Sequence, residues 1–153
     1  MEEVLGLEPN HPVAIRKLYI IDKAAPQSEA YHQSASRLLT YLLRGSAEEF
    51  LTLFEEYKQL SGKPKIDLKI ISRLVPIYLK KKQLKEASAC MLTLMKKVPK
   101  QPDIPNNLMR LAHAYQENHQ KENARKCLDI LTQKYGESSE GLEAQEILLR
   151  HKS

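Results

Sequence analysis

A step of 37 residues recurs along this chain. Tyr41, Tyr78 and Tyr115 keep it, and so do Gly62, Pro99 and Gly136. Phe54, Met91 and Leu128 follow the same step, as do Leu53, Cys90 and Cys127. Ala87 and Ala124 share it, with Phe50 in the corresponding earlier place. Self-similarity on a scale of roughly 30–50 residues, each unit a helix hairpin, is the signature of an α-solenoid, in which each unit buries its apolar face against its neighbours.

The composition agrees with helices. Leu, Lys, Glu and Ala are the commonest of the 153 residues, Gly is held to 5, Phe to 2, and Trp is absent. These are helix formers, and the β-branched and aromatic enrichment of a sheet is missing. Apolar periodicity predicts helices near 12–23, 28–44, 46–61, 66–82, 84–98, 104–117, 120–134 and 139–151, joined by links short enough to make antiparallel hairpins. Ser28 is a weak start, whereas Ser46-Ala-Glu-Glu49 reads as a capping box, with Ser46 accepting from the backbone and Glu49 reaching back. Asp67 and Asp103 are candidate caps, and Gly62 and Gly136 are candidate left-handed stops. The fold class expected is therefore all-α, an α-α superhelix of about seven or eight helices.

Within that frame the residues resemble a known family. Leu108-x-x-Leu111-Ala112-x-x-Tyr115, followed by Ala124-x-x-x-Leu128, is similar to a tetratricopeptide repeat, with Leu108 where that family usually has Trp and Ala112 where it has Gly. Ile71-x-x-Leu74-Val75-x-x-Tyr78, then Ala87-x-x-x-Met91 and Pro99, repeats the pattern. Relative to the family's usual period this one is longer, Gln101 to Asp103 being the obvious insertion. The stretch 31–64 matches through Tyr41, Gly45, Phe54 and Gly62 but carries Arg37 at an expected Leu position. The resemblance implies one helical-repeat domain over 1–153, with units near 28–64, 66–101 and 103–138 and flanking helices at 12–23 and 139–151. Leu5-Gly-Leu-Glu-Pro9-Asn-His-Pro12 resembles the close of a further unit, so the chain is expected to continue a longer array. Pro76 departs most from the pattern. It removes a helix hydrogen bond, and a bend at that point is favoured over a fresh helix start.

A search for chemistry turns up no constellation. His11, His32, His113, His119 and His151 are scattered, with His113 and His119 expected on different helices across a turn. Glu48, Glu49, Glu55 and Glu56 read as the solvated face of an amphipathic helix. There is no glycine-rich phosphate loop, nucleophile elbow or Cys-x-x-Cys, so neither enzymatic activity, a cofactor nor a metal is expected. Cys90 and Cys127 read as reduced core thiols. No stretch reaches the roughly 18 apolar residues of a membrane span, and the start is not that of a secretory signal, so a cytoplasmic chain is expected.

The family resemblance instead implies binding, since the first helix of each hairpin lines a concave groove. The matched positions are Lys69, Ser72, Arg73 and Lys80, then Asn106, Met109, Arg110, His113 and Gln116, with His32, Ala35, Ser36 and Leu39 from the first unit. Lys69, Arg73 and Arg110 would favour an acidic peptide or terminal carboxylate. The family's clamp for heat-shock-protein tails is disfavoured. Arg110 fits its Arg, but Asn106 and Arg73 carry the wrong residue type, and Ala35 and Leu39 replace a Lys and an Asn.

Charge is concentrated in the middle of the chain. The formal net charge is +5, yet residues 63–100 hold 11 basic and 2 acidic side chains, a balance of +9. Lys80, Lys81, Lys82, Lys85, Lys96, Lys97 and Lys100 form this basic patch. Without interleaved Arg and aromatic residues, nucleic acid is disfavoured as its partner, and lysines at a helix C-terminus also complement the helix dipole. The function expected is a non-enzymatic interaction or assembly scaffold for a peptide or partner protein. The alternatives are a cytoplasmic regulatory tail of a larger, membrane-anchored bacterial protein such as an intramembrane protease, and a self-associating solenoid or anionic-surface binder.

Overall fold

A computed structural model describes residues 11–152, with side chains as far as Arg150. Eight α-helices, and no strand, occur among the described residues. They are α1 (Pro12–Asp22), α2 (Glu29–Tyr41), α3 (Ala47–Ser61), α4 (Leu68–Lys80), α5 (Leu84–Lys97), α6 (Ile104–Glu117), α7 (Lys121–Lys134) and α8 (Ser139–Lys152). A short 3-10 turn, Leu42–Arg44, follows α2. The repeat-like segment at 5–10 lies outside the described residues. The chain falls into two compact units that part between Ile70 and Ile71, inside α4.

Each helix of the first unit begins on a side-chain cap. His11 Nδ1 accepts from the Val13 amide at 3.2 Å with Pro12 in the first turn, and Ser28 Oγ accepts from Tyr31 at 3.2 Å. Ser46 Oγ accepts from Glu49 at 3.3 Å, and Asp67 Oδ1 from Ile70 at 3.0 Å. These oxygens and the ring nitrogen satisfy amides that have no partner inside the helix. The return arm expected of the capping box does not form: the Glu49 carboxylate takes both terminal nitrogens of Arg16 on α1 instead. In this unit α2 packs on both α1 and α3. The core centres on Tyr31, Leu39, Phe50 and Tyr57, all but fully buried.

The second unit stacks α5 on α6, α6 on α7 and α7 on α8, with α6 also touching α8. Every side chain that carries the repeat motif over 108–128 is buried, as are Leu74, Val75, Tyr78, Ala87 and Met91. The repeat extends to the backbone. After α4, Lys82 takes a left-handed φ of 59°, its amide donates to Leu79 O and that of Gln83 to Tyr78 O. After α6, His119 takes φ 61°, its amide donates to Gln116 O and that of Gln120 to Tyr115 O. Both are Schellman stops, which cap the last carbonyls of a helix and reverse the chain. His119 therefore sits in the turn itself, not on the following helix as its spacing from His113 suggested.

Three expectations are corrected here. Gly136 is not a left-handed stop, since Gly62 is the positive-φ glycine among the described residues. A side chain at Gly136 would instead press on the Thr132 carbonyl at 2.7 Å. Asp103 makes no cap bond; its carboxylate accepts from Gln101 Nε2 at 2.7 Å, and α6 begins on a Pro-containing turn. In the first unit the register is displaced. Arg37 and Tyr41 are exposed, Tyr41 by 44%, while Leu38 and Leu42 take the buried places. Leu42 lies 36 residues before Tyr78, whereas Ser46 lies 37 before Gln83. The turn after α2 is thus one residue shorter, and a 3-10 turn replaces the left-handed stop. As for Pro76, α4 runs through it as a single helix, so no fresh helix starts there.

Candidate functional site

The displaced register in α2 has a consequence outside the core. It turns His32, Gln33, Ser36, Arg37, Thr40 and Tyr41 toward an open groove of about 820 Å³. Ile15 of α1 and the linker residues Lys65, Ile66 and Asp67, with Glu29, complete its lining. Most of these residues are polar in type, yet the surface they present to the groove is more apolar than polar, with apolar seats at Ile15, Ile66 and the Tyr41 ring.

The linker after α3 has no regular structure of its own, and Tyr57 holds it in place. The Tyr57 hydroxyl accepts from the Lys65 amide at 2.8 Å and lies 2.5 Å from His32 Nδ1. The Lys65 ammonium reaches back to Glu29 on α2 at 2.6 Å. That ammonium holds the Glu29 carboxyl below the usual carboxylate range, first by hydrogen bonding and then by charge. Two anchors, one main-chain and one ionic, therefore fix the linker against α2 as the second wall of the groove. Both carboxylates in the groove are already engaged within it: Glu29 by Lys65, and Asp67 by the Ile70 amide. At the far end the Arg16 guanidinium lies 5.9 Å from the centre of the Tyr41 ring, a cation–π distance, and is held there by Glu49.

Behind the groove lies a tyrosine layer. Tyr19 donates to Glu56 Oε1 at 2.6 Å and meets Tyr31 OH at 3.1 Å. Lys23 shares the same Glu56 oxygen at 3.3 Å. The Tyr31 ring lies edge-on to Tyr57 at 5.5 Å. Burial pushes the phenols of Tyr19, Tyr31 and Tyr57 above their ordinary range, and the Glu56 carboxylate pushes Tyr19 further in the same direction. These hydroxyls stay protonated and act as donors or acceptors, not as bases.

The residues singled out from the sequence meet different fates. His32 and Ser36 line the groove. Ala35, Leu39 and Met109 are buried, so none of them can face a partner. Asn106, Arg110 and His113 share one exposed face of α6, at the spacing of successive helix turns. Lys69 and Lys80 are exposed on α4, and Arg73 is half-buried there. Lys80, Lys81, Lys82, Lys85, Lys96 and Lys97 are all exposed but form two groups at opposite ends of α5, a separation of about 20 Å along the helix. Arg37, Lys65 and Ile66 were not singled out as site residues.

Neither cysteine forms a disulfide; Cys127 is buried, which lifts its thiol to about 11, and Cys90 is half-buried. Among the described residues no group of three or more His, Cys, Asp or Glu could hold a metal ion, and no helix is long and apolar enough to cross a membrane. No family model matches the chain, and neither the curated proteins nor the solved structures provide a match.

Proposed function

We propose that the chain is a non-enzymatic, tetratricopeptide-like interaction module that holds an extended acidic segment of a partner protein in the groove along α2. The observation that carries this reading is the pinned linker. Tyr57 and Glu29 fix Lys65 in place, so the groove is formed before a ligand arrives and a peptide would not have to order it. Acidic ligands suit it because two basic side chains, Arg37 and Lys65, both exposed, line the groove. Ile15, Ile66 and the Tyr41 ring offer apolar seats between the polar positions, the mixture that orients a bound chain. The superhelical repeat itself is supported by burial of the motif side chains Leu74, Val75, Tyr78, Ala87, Met91, Leu108, Leu111, Ala112, Tyr115, Ala124 and Leu128, and by the matching stops at Lys82 and His119.

The test is fluorescence anisotropy with labelled acidic peptides and neutral scrambled controls. Wild type should bind the acidic set, and Arg37→Glu or Thr40→Tyr should weaken it at least tenfold. Arg73→Glu with Arg110→Glu should leave it unchanged. Equal binding of acidic and neutral peptides, or a loss only in the Arg73/Arg110 variant, would sink the groove assignment.

A further inference from the structure

Two helices present outward faces that match each other residue for residue in spacing and oppose each other in charge. On α1, Val13, Lys17 and Ile20 stand at i, i+4 and i+7, which places them on one face of a helix. Val13 is 43% exposed and Ile20 63%, and Ile21 beside them is 43% exposed. On α8, Leu142, Glu146 and Leu149 have the same spacing, with Leu142 55% and Leu149 67% exposed. Each stripe is thus an apolar pair with a single charge between, Lys17 on one and Glu146 on the other. Neither charge makes an ion pair among the described residues. Glu143 and Arg150 both flank the α8 stripe, Arg150 with an interaction of its own within the chain, and on α1 the neighbouring Asp22 carboxylate is occupied by Ser34.

We infer that α1 of one copy docks on α8 of a second copy, apolar pair against apolar pair, with Lys17 meeting Glu146. Charge complementarity selects this occupant over two copies of the same face. Pairing α1 with α1 would set Lys17 against Lys17, and α8 with α8 would set Glu146 against Glu146. Because the charge lies near the middle of each stripe, it falls within one residue of register whether the helices run parallel or antiparallel. Exposed apolar side chains at i and i+7 lie on one stripe of a helix, the face along which a second helix packs. The contact joins two different surfaces of the molecule. Such a contact leaves one of each surface open on every dimer and propagates into longer stacks.

Sedimentation velocity of the full chain over a concentration series reads this directly. Wild type should grow from monomer into dimer and larger stacks as concentration rises. Ile20→Asp and Leu149→Asp should each remain monomeric alone, because each has lost one face. Mixed, they should form a one-to-one dimer and nothing larger, since each supplies the face that the other lacks. Lys17→Glu and Glu146→Lys should each weaken association at least tenfold, and combining the two should restore it. Circular dichroism of each variant checks that its helix content matches wild type. A wild type that stays monomeric throughout overturns the inference. So does association indifferent to Ile20 and Leu149, or a mixture of the two single-face variants that fails to dimerise. Peptide binding in the α2 groove is measured separately and does not depend on this outcome.

Discussion

Gly141 shows how closely two segments can approach. It is buried in the first turn of α8, where Ser138 Oγ accepts its amide at 2.9 Å. A Cβ at this position would lie 1.9 Å from the Tyr135 carbonyl oxygen, a backbone atom that cannot swing aside. In an ordinary helix Gly→Ala adds about 1 kcal/mol of stability. Here overlap with the backbone should outweigh that gain, so Gly141→Ala is expected to cost about 1–3 kcal/mol, read as a lower urea midpoint. An unchanged or higher midpoint would mean that α8 can shift without penalty. The tyrosine layer sets a second expectation. The Tyr19, Tyr31 and Tyr57 phenols lie above their ordinary value in the folded chain. Folding therefore holds their protons more tightly than the unfolded chain does. That contribution is complete below the unfolded pKa of about 10 and is lost as pH rises through the folded values. Helix content and tyrosinate absorbance should accordingly change together above about pH 10. Tyr19→Phe should lower stability at neutral pH by about 1 kcal/mol, through the bonds lost to Glu56 and Tyr31, and make the alkaline decline shallower. Ionisation of all the tyrosines with helix content intact would contradict this.

Among the elements, the turns separate the two halves of the chain more clearly than the helices do. Lys82 and His119 carry side chains at a left-handed φ, a conformation that costs a non-glycine residue about 1–2 kcal/mol and glycine almost nothing. Both are exposed and lie just past a helix end. Lys82→Gly and His119→Gly should each raise stability by about 0.5–1 kcal/mol in urea or thermal unfolding, with additive effects. Loss of stability from either would mean that the side chain contributes more than its backbone strain costs. These turns also mark how far the sequence could be read. Periodicity places every helix within about two residues at most ends, because buried Leu, Ala and Tyr at helical spacing have no other economical arrangement. Left-handed lysine and histidine carry no compositional flag, so both stops passed unnoticed while Gly136 was credited with one. The displaced register of α2 was visible only as a misfit, Arg37 at a leucine position. Its cause, a turn one residue short, is a property of the backbone. The groove was illegible for a different reason. It depends on Tyr57 reaching the Lys65 amide and Lys65 reaching Glu29, contacts that no local pattern announces. Only His32 and Ser36, carried in from the resemblance, pointed toward it.

For the whole molecule, the question left by the sequence is what a balance of +9 over residues 63–100 does. Read along the chain it is one patch; in space the exposed lysines divide. Lys80, Lys81, Lys82 and Lys85 gather around the start of α5, and Lys96, Lys97 and Lys100 around its end. The two groups lie about 20 Å apart along the helix, more than two Debye lengths at physiological ionic strength, so each acts on a ligand largely alone. Lys96 and Lys97 also occupy the last turn of α5, where they complement the helix dipole. A short single-stranded oligonucleotide should therefore engage one group at a time. The slope of log K against log salt should then correspond to about three or four released counterions, giving a value near −2 to −3 for a single strand. Replacing Lys80, Lys81 and Lys82 by Gln should remove binding at the first group and leave that at the second, with little change in slope. A wild-type slope near −5, cut by about half in that variant, would show seven lysines acting as one surface. Such a result would favour an anionic partner at α5. The expected shallow slope would instead fit the proposal that recognition lies in the α2 groove, whose shape is held by Tyr57.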